Sequence, residues 1–298
     1  MTDTPPASTP TPAAELTIDA DLVRALLAAQ HPDLAHLPTT LAAVGWDNAM
    51  FRLGDTLSVR LPKRLPAAFL MLTEQRWLPT LAPRLPLPIP APIRTGGPGP
   101  GFPWTWSVLP WLDGTPADLD PPGADQGEVL AGFLKALHVT APAEAPRSPH
   151  RGTPLSVREP RTREQLARLA ARSDLVTPAL LAIWESALAA PIDTPDTWIH
   201  GDPHARNVLV KDGAFTAVID WGDMAQGDRA NDLAAIWMLL GAPAARQRAM
   251  AAYGASAATW ARARGWAVAM GVMLADIADD PRMLAMGQRT IRNLLAGP

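Results

Sequence analysis

The chain has 298 residues, of which 48% are hydrophobic and 18% are charged, and its formal net charge at neutral pH is −3. A small net charge of mixed signs argues against a nucleic-acid-binding or membrane-surface protein, and the absence of cysteine excludes disulfides and thiol chemistry. The length is near the upper limit for one domain and is compatible with two lobes.

The N-terminal segment, residues 1–14, is rich in Thr, Pro and Ala and lacks the basic region and apolar core of a signal peptide. We therefore predict that it is a disordered tail. The longest apolar runs, such as residues 266–275, are too short to span a bilayer. Together these features predict a cytoplasmic protein that binds neither nucleic acid nor membrane, and they leave its oligomeric state open.

Residues 15–109 have a mostly β pattern, and we predict that they form a small N-lobe. Apolar residues at helical spacing predict two helices, and short apolar runs bounded by turn residues predict the strands. The predicted helices are Asp19–Gln30 and Ala67–Leu81, and the predicted strands are Leu41–Val44, Asn48–Leu53, Leu57–Leu61 and Trp104–Leu109. The glycine-rich run at residues 96–101 is followed by neither a cation nor a helix, so we interpret it as a hairpin loop rather than a phosphate-binding loop.

Residues 110–298 are predicted to form a larger helical C-lobe, since the pattern turns helical beyond Asp113-Gly114. The predicted helices are Gly127–His138, Arg161–Ala171, Pro178–Ala189, Asp232–Leu240, Ala244–Arg264, Ala267–Ile277 and Met283–Leu295. A hairpin of two short strands, Asn207–Val210 and Phe215–Ile219, interrupts them, with its bend at residues 211–213. The expected fold class is α+β with two lobes.

The most informative motif lies at this hairpin. Residues 200–207 have the pattern H-x-D-x-x-x-x-N, and an apolar strand after them ends in Asp220-x-Gly. This order matches the catalytic loop and metal-binding Asp-x-Gly of kinase-type phosphotransferases. Phosphoryl transfer needs a carboxylate beside the attacking hydroxyl and magnesium ligands around the phosphates. We therefore predict Asp202 as the base and Asn207 and Asp220 as the metal ligands.

A zinc hydrolase is an alternative interpretation of the same segment. His200, Asp202 and His204 alternate, so in an extended segment they would share one face, and imidazole and carboxylate both suit zinc. Against this alternative, Pro203 interrupts a regular strand, and the other histidines form no second cluster.

A kinase nucleotide site also needs a strand cation and a glutamate on the next helix to hold it. Arg60 ends the run Leu57-Ser58-Val59-Arg60, and alternation places Ser58 and Arg60 on one face of the strand. Glu74 lies on the apolar stripe of the following helix, where an unpaired carboxylate would be costly. We predict that Arg60 pairs with Glu74; the alternatives are Lys63 as the cation and Glu74 as an exposed residue.

The chain resembles the aminoglycoside phosphotransferase family, relatives of choline kinase and, more distantly, of the protein kinases. The resemblance runs from about residue 18 to the end. Its strongest stretches are residues 45–48, Ser58-Val59-Arg60-Leu61-Pro62, residues 74–79, residues 200–207 and Ile219-Asp220-Trp221-Gly222-Asp223. It implies a protein-kinase-like fold, ATP or GTP as phosphate donor, Mg²⁺, and a small-molecule hydroxyl as acceptor.

The resemblance also implies roles for further residues. The turn at Trp46-Asp47-Asn48 would cover the phosphates with Asn48, Ser58 would lie beside them, and Val108 and Leu109 would offer backbone groups to a purine base. Asp232 would brace the catalytic loop, although an N-cap is its alternative role. Asp220 and Asp232 are only twelve positions apart, which leaves little room for a peptide-binding segment and favours a small acceptor.

Two questions stay open at this stage. The strand cation is Arg rather than the usual Lys, so a catalytically silent nucleotide-binding protein of the same fold is a second alternative. The acidic residues Asp276, Asp279 and Asp280 could face a cationic aminoglycoside or simply be solvated. The sequence identifies neither the acceptor nor the preferred nucleotide.

Overall fold

The computed structural model describes residues 13–277 and 279–297. The predicted disordered tail therefore lies outside the described residues except for Ala13 and Ala14. The described residues divide into two compact units: residues 13–84 together with 88–113, and residues 85–87 together with the described residues from 114 onward. The assignment of residues 15–109 and 110–298 to a nucleotide-binding and a catalytic lobe stays a prediction.

The N-terminal unit is built on a five-stranded antiparallel sheet in the order β1-β2-β3-β5-β4. Two helices accompany the sheet, and the second begins at Leu65 because Pro66 fits the first helical turn. The strands are β1 (Thr39–Val44), β2 (Asn48–Leu53), β3 (Leu57–Pro62), β4 (Arg94–Gly96) and β5 (Trp106–Pro110), and the helices are α1 (Ala20–Gln30) and α2 (Leu65–Leu81). The sequence predicts all of these except β4. The glycine-rich run forms the connection from β4 to β5, as predicted.

The central strand β3 is buried on both faces, and each face has a different neighbour. Val59 and Leu61 belong to the apolar core that also holds Leu26 of α1 and Phe51 of β2. Arg60 points the other way and meets α2. Alternation along one strand therefore sends apolar side chains into the core and the cation toward a helix.

The C-terminal unit is mostly helical. Its helices are α3 (Gly127–Leu137), α4 (Leu155–Ala170), α5 (Pro178–Ala189), α6 (Ala230–Leu233), α7 (Ala235–Leu239), α8 (Pro243–Tyr253), α9 (Ala257–Asp276) and α10 (Pro281–Leu295). Its short strands β6 (Thr115–Pro116), β8 (Val208–Lys211) and β9 (Ala214–Val218) form one antiparallel sheet, and β7 (Thr197–Ile199) pairs with β10 (Ala225–Gly227). The hairpin predicted at residues 207–219 is the β8–β9 pair. The mixed α+β fold class is confirmed.

Several helix boundaries differ from the prediction. The predicted helix Ala244–Arg264 is two helices, because Gly254 adopts the left-handed conformation (φ 73°) that ends α8 and Ser256 caps α9. The predicted break near residue 265 is absent, since α9 runs through Gly265, where a Cβ would lie 2.4 Å from the Cβ of Ala187. Close helix packing, rather than a helix end, is the reason for this glycine.

The other differences are smaller. The helix predicted to start at Arg161 begins at Leu155 and continues through Pro160, and the helix predicted at residues 232–240 is the short pair α6 and α7. Within the described residues, no helix combines the length and apolar character needed to cross a membrane.

Candidate active site

The H-x-D loop joins β7 to β8 and is held by its own polar groups. Asn207 is buried, and its Nδ2 donates to the carbonyl oxygen of Asp202 at 3.0 Å. His204 caps a short 3₁₀ turn through its Nδ1, which accepts from the backbone N–H of Arg206. These bonds fold the loop back on itself, so Asp202 and Asn207 lie close together.

Asp232 braces this loop from the buried side. Its two carboxylate oxygens accept from the backbone N–H groups of His200 (2.6 Å) and Gly201 (2.9 Å). Burial opposes its ionisation, but a hydrogen bond from His138 and the two backbone donors hold the pKa of Asp232 below its ordinary value. Asp232 lies inside α6 rather than before it, so the N-cap alternative is wrong.

The two histidines of the loop have structural partners. His200 Nε2 donates to the carbonyl oxygen of Ile219 at 2.9 Å, and its Nδ1 accepts from the backbone N–H of Asp202. Its ring also packs edge-on against Trp221. Both ring nitrogens are therefore engaged, and His200 has no lone pair for a metal. The zinc-hydrolase alternative built on His200, Asp202 and His204 is contradicted, and no cluster of three His, Cys, Asp or Glu suited to a metal exists within the described part of the chain.

Asp202 itself is partly accessible, with 19% of its side chain exposed. Its Oδ1 lies 3.1 Å from Arg151 Nη2, and its Oδ2 lies 3.5 Å from His204 Nε2. Burial opposes ionisation, but the charge of Arg151, together with His204 and His200, holds the pKa of Asp202 below its ordinary value. Asp202 is thus an anion with a fixed cationic neighbour, able to accept a hydrogen bond.

Sequence reasoning missed Arg151. It lies in the loop before α4, where no motif singles it out. Besides Asp202, it contacts Asp223: its Nε and its Nη2 each lie 2.9 Å from Oδ2 of Asp223. Asp223, three residues past Asp220 in the sequence, therefore has a definite cationic partner.

Asp220 follows β9 at the point where the chain leaves the hairpin. Its side chain is exposed and its backbone is left-handed (φ 61°), a conformation that costs a non-glycine residue roughly 1–3 kcal/mol. The backbone N–H of Ile219 donates to the carbonyl oxygen of Asn207 at 2.8 Å, which places Asp220 beside Asn207 across the hairpin.

The donor set fits a hard divalent cation. Asn207 uses its amide nitrogen on Asp202, which leaves its side-chain oxygen as an acceptor. An amide oxygen and a carboxylate are ligands that Mg²⁺ accepts, usually together with substrate phosphates. The two predicted metal ligands therefore lie on adjoining segments of the hairpin, and each carries a side-chain oxygen of the kind that Mg²⁺ binds.

In the N-terminal unit, Arg60 Nη2 forms an ion pair with Glu74 Oε2, and only 5% and 4% of these side chains are exposed. The alternative in which Glu74 is an exposed residue is wrong. The other candidate cation, Lys63, donates from Nζ to the carbonyl oxygen of Gly45 at 3.1 Å. Lys63 thus contacts the turn that precedes Asn48.

The remaining predicted nucleotide contacts differ in their burial and hydrogen bonding. Ser58 is buried in β3, and Asn48 opens β2 with a buried side-chain oxygen that has no hydrogen-bond partner in the described structure. Val108 and Leu109 lie within β5, and the carbonyl oxygen of Val108 accepts from the backbone N–H of Ile93. The carbonyl oxygen of Val108 is thus engaged in the sheet, and the contact of Val108 with a purine base stays a prediction.

Comparisons with known proteins identify the family and the fold of the chain. A family model described as "Phosphotransferase enzyme family" matches residues 39–266, well over half of the chain. A GDP complex of aminoglycoside 2'-phosphotransferase-IIIa superposes with a TM-score of 0.66 at 17% identity, covering 94% of this chain and 99% of that one.

Macrolide enzymes have a similar fold. The apoenzyme of a macrolide 2'-phosphotransferase from Brachybacterium faecium superposes with a TM-score of 0.58 at 22% identity, covering 93% of this chain and 98% of that one. No curated protein matches the chain. At these identities the solved structures establish the kinase-like fold, while the family model establishes the family.

Proposed function

The chain belongs to the phosphotransferase enzyme family and is a small-molecule kinase, and we propose that it transfers the γ-phosphoryl group of ATP or GTP to a hydroxyl. The observation that carries this proposal is the ionised, partly exposed Asp202, which contacts Asn207 through its backbone at the start of the hairpin that carries Asp220. A catalytically silent protein would need none of these groups to be arranged in this way.

In the proposed reaction, Asp202 accepts the proton of the acceptor hydroxyl. The hydroxyl oxygen then forms a bond to the γ-phosphorus, the bond to the bridging oxygen breaks, and the nucleoside diphosphate leaves with that electron pair. Asp202 can act in this way because it is anionic and still reachable from solvent. Its backbone is held by Asn207 on one side and, through His200 and Gly201, by Asp232 on the other.

Magnesium would be held by Asn207 and Asp220. When bound, it supplies positive charge that neutralises the phosphate oxygens during transfer. The left-handed backbone of Asp220 supports this role, because strained residues persist where function needs their side-chain direction.

Arg60 is the proposed phosphate-binding cation of the N-terminal unit. A guanidinium offers a planar set of donors to phosphate oxygens, and Glu74 fixes one end of that set. Ser58, Asn48 and Leu109 remain proposed nucleotide contacts. Val108 likewise remains a proposed contact of the purine base.

The acceptor is proposed to be a small molecule of the aminoglycoside or macrolide type, since enzymes named for both share the fold. The acidic residues that could have received a polycation are largely paired. Asp276 binds Arg168 and Arg172, and Asp280 binds Arg206. This pairing favours an acceptor with few positive charges, so macrolides stand first in the proposed screen.

The test separates the roles of the two aspartates. Asp202→Asn should leave Mg-nucleotide affinity nearly intact while lowering kcat by roughly 10²–10⁴, the range for a positioned base. Asp220→Asn should weaken Mg-nucleotide binding as well as turnover, and Asn tolerates the left-handed backbone. Asp212→Asn is the matched control, because Asp212 has the same backbone conformation at the bend of the same hairpin.

The measurements are calorimetry of Mg-ATP and Mg-GTP binding and release of the diphosphate in the presence of kanamycin, gentamicin, streptomycin or a macrolide. If Asp202→Asn loses nucleotide affinity as severely as Asp220→Asn does, the assignment of roles is wrong. If neither nucleotide binds the wild-type chain at millimolar concentration with Mg²⁺ present, the proposed donor is wrong.

A further inference from the structure

Arg151 joins two carboxylates that lie next to the proposed reaction centre. Its Nη2 lies 3.1 Å from Oδ1 of Asp202 and 2.9 Å from Oδ2 of Asp223, and its Nε donates to the same Asp223 oxygen. Only 10% of the Arg151 side chain is exposed. An arginine fork that is buried and shared in this way has little freedom to take another position.

The backbone that carries Arg151 is fixed by a close contact between two glycines. Gly152 has a left-handed backbone (φ 62°), and a Cβ on it would lie 2.9 Å from Cα of Gly227. The backbone N–H of Asp228 donates to the carbonyl oxygen of Gly152 at 2.8 Å. A larger side chain at Gly152 would push the segment away, so the approach of Arg151 depends on this glycine.

The same anchor also holds the catalytic loop. Asn231 accepts from the backbone N–H of Gly152 through Oδ1 (3.2 Å) and donates through Nδ2 to the carbonyl oxygen of Gly201 (2.9 Å). One buried side chain therefore sets the distance between the Arg151 segment and the residue that precedes Asp202. The contact between Arg151 and Asp202 is built into the unit.

We propose that Arg151 is a positioning residue for the phosphoryl transfer: it holds Oδ1 of Asp202 and thereby directs Oδ2 toward the acceptor hydroxyl. This inference rests on the proposed role of Asp202. Oδ1 is buried and has no hydrogen-bond partner in the described structure, so Arg151 holds it by charge at 3.1 Å, and the exposed fifth of the side chain belongs to its other atoms. Without Arg151, the carboxylate can rotate about its side-chain bonds and lose the aligned geometry that proton acceptance needs.

Arg151 could instead serve only to hold the segment around Asp223. The two roles predict different results, because a positioning residue acts through Asp202 and a purely structural one does not. Asp223→Asn weakens one side of the fork and leaves the Asp202 side in place. If positioning is the role, Asp223→Asn should retain most of the turnover that Arg151→Met loses.

The experiment is a double-mutant cycle between Arg151→Met and Asp202→Asn. The readout is diphosphate release from Mg-ATP or Mg-GTP with the best acceptor among kanamycin, gentamicin, streptomycin and a macrolide, or with water if none accelerates release. We expect Arg151→Met to lower kcat by roughly 10²-fold in the wild-type background, as for a catalytic group displaced by about 1 Å. In the Asp202→Asn background the same change should lower kcat by less than about twofold, since the group it positions is gone.

Three further measurements make the result specific. Mg-nucleotide affinity of Arg151→Met should stay close to wild type, whereas its Tm should fall because Asp202 and Asp223 lose their cation. Arg151→Lys should recover part of kcat because an ammonium can still reach one carboxylate. Arg147→Met is the control, since Arg147 lies four residues earlier and pairs with Asp196 at the surface. It should leave kcat unchanged.

Additive effects in the cycle, or loss of Mg-nucleotide affinity together with kcat, would overturn the positioning role. A failure of the proposed function has a different signature: Asp202→Asn alone would then keep full turnover. If Asp202→Asn is inactive while Arg151→Met is fully active, only the inference about Arg151 is wrong.

Discussion

The buried ion pair between Arg60 and Glu74 allows stability and function to be separated in one series of variants. With 5% and 4% of their side chains exposed, neither group can recover its hydration when its partner is removed. We expect Glu74→Leu and Arg60→Met each to destabilise the N-terminal unit, and the double variant Arg60→Met/Glu74→Leu to be more stable than either.

The magnitude follows from the burial. Removing one partner of a buried pair leaves an uncompensated charge and costs about 3–5 kcal/mol, whereas replacing both by apolar residues of similar volume is often neutral or stabilising. At about 2–4 °C per kcal/mol, each single substitution should lower Tm by roughly 6–20 °C. The double variant should return to within a few degrees of wild type.

The assay is thermal unfolding with and without Mg-nucleotide, together with turnover. All three variants should lose nucleotide use, because the proposed phosphate-binding cation is either absent or unanchored. The double variant should thus be stable and inactive. Arg24→Gln is the control, since Arg24 pairs with Asp21 on the exposed face of α1 and such pairs contribute little. Additive losses of Tm in the double variant, or single losses below about 1 kcal/mol, would refute this reasoning.

Three other predictions concern stability. Asp232→Ala should cost roughly 2–6 kcal/mol, because the buried backbone N–H groups of His200 and Gly201 lose their acceptor; denaturant unfolding measures it, and a loss near zero would contradict the bracing role. Gly152→Ala should lower Tm, since its Cβ would lie 2.6 Å from Ile199 Cδ1. Gly132 lies on α3 with open space around its Cβ position, so Gly132→Ala should raise the free energy of unfolding by up to about 1 kcal/mol. Hydrogen bonds from Ser256 and Thr259 and the Arg262 contact, against burial, lower the pKa of Asp193 to about 2, so its stabilising contribution is present above pH 3.8 and is lost as pH falls through about 2. Asp193→Asn should flatten Tm against pH in that window, and an unchanged profile would contradict the assignment.

The parts of the site that the sequence predicts correctly are those in which local chain geometry or burial leaves few choices. The H-x-D-x-x-x-x-N loop and the hairpin after it form a short continuous segment, so the spacing alone brings Asp202 and Asn207 into contact and places Asp220 after the second strand. Glu74 was predicted to pair with Arg60 because an apolar stripe cannot hold a free carboxylate. In both cases one physical requirement selects the partner.

Helix ends are less predictable, because the same residue type serves opposite purposes. Gly254 ends a helix in the left-handed conformation, whereas Gly265 lies inside a helix and lets Ala187 approach. The sequence shows only two glycines in an alanine-rich region. Which of them ends a helix depends on packing partners that are distant in the chain, such as α5 against α9.

Charge pairing is the hardest property to infer, and Arg151 shows why. The chain has 26 basic and 29 acidic residues, so charge alone allows very many pairs. Arg151 reaches Asp202 only because Gly152 packs against Gly227 and Asn231 holds both segments. Each of these residues has an ordinary local interpretation: a loop glycine, a strand end and a helix start. The Arg151–Asp202 pair therefore depends on tertiary contacts, and no local sequence pattern indicates it. Substitutions at Gly152 or Gly227 should accordingly change turnover through Arg151, although neither glycine is a sequence neighbour of Asp202 or carries a reactive group.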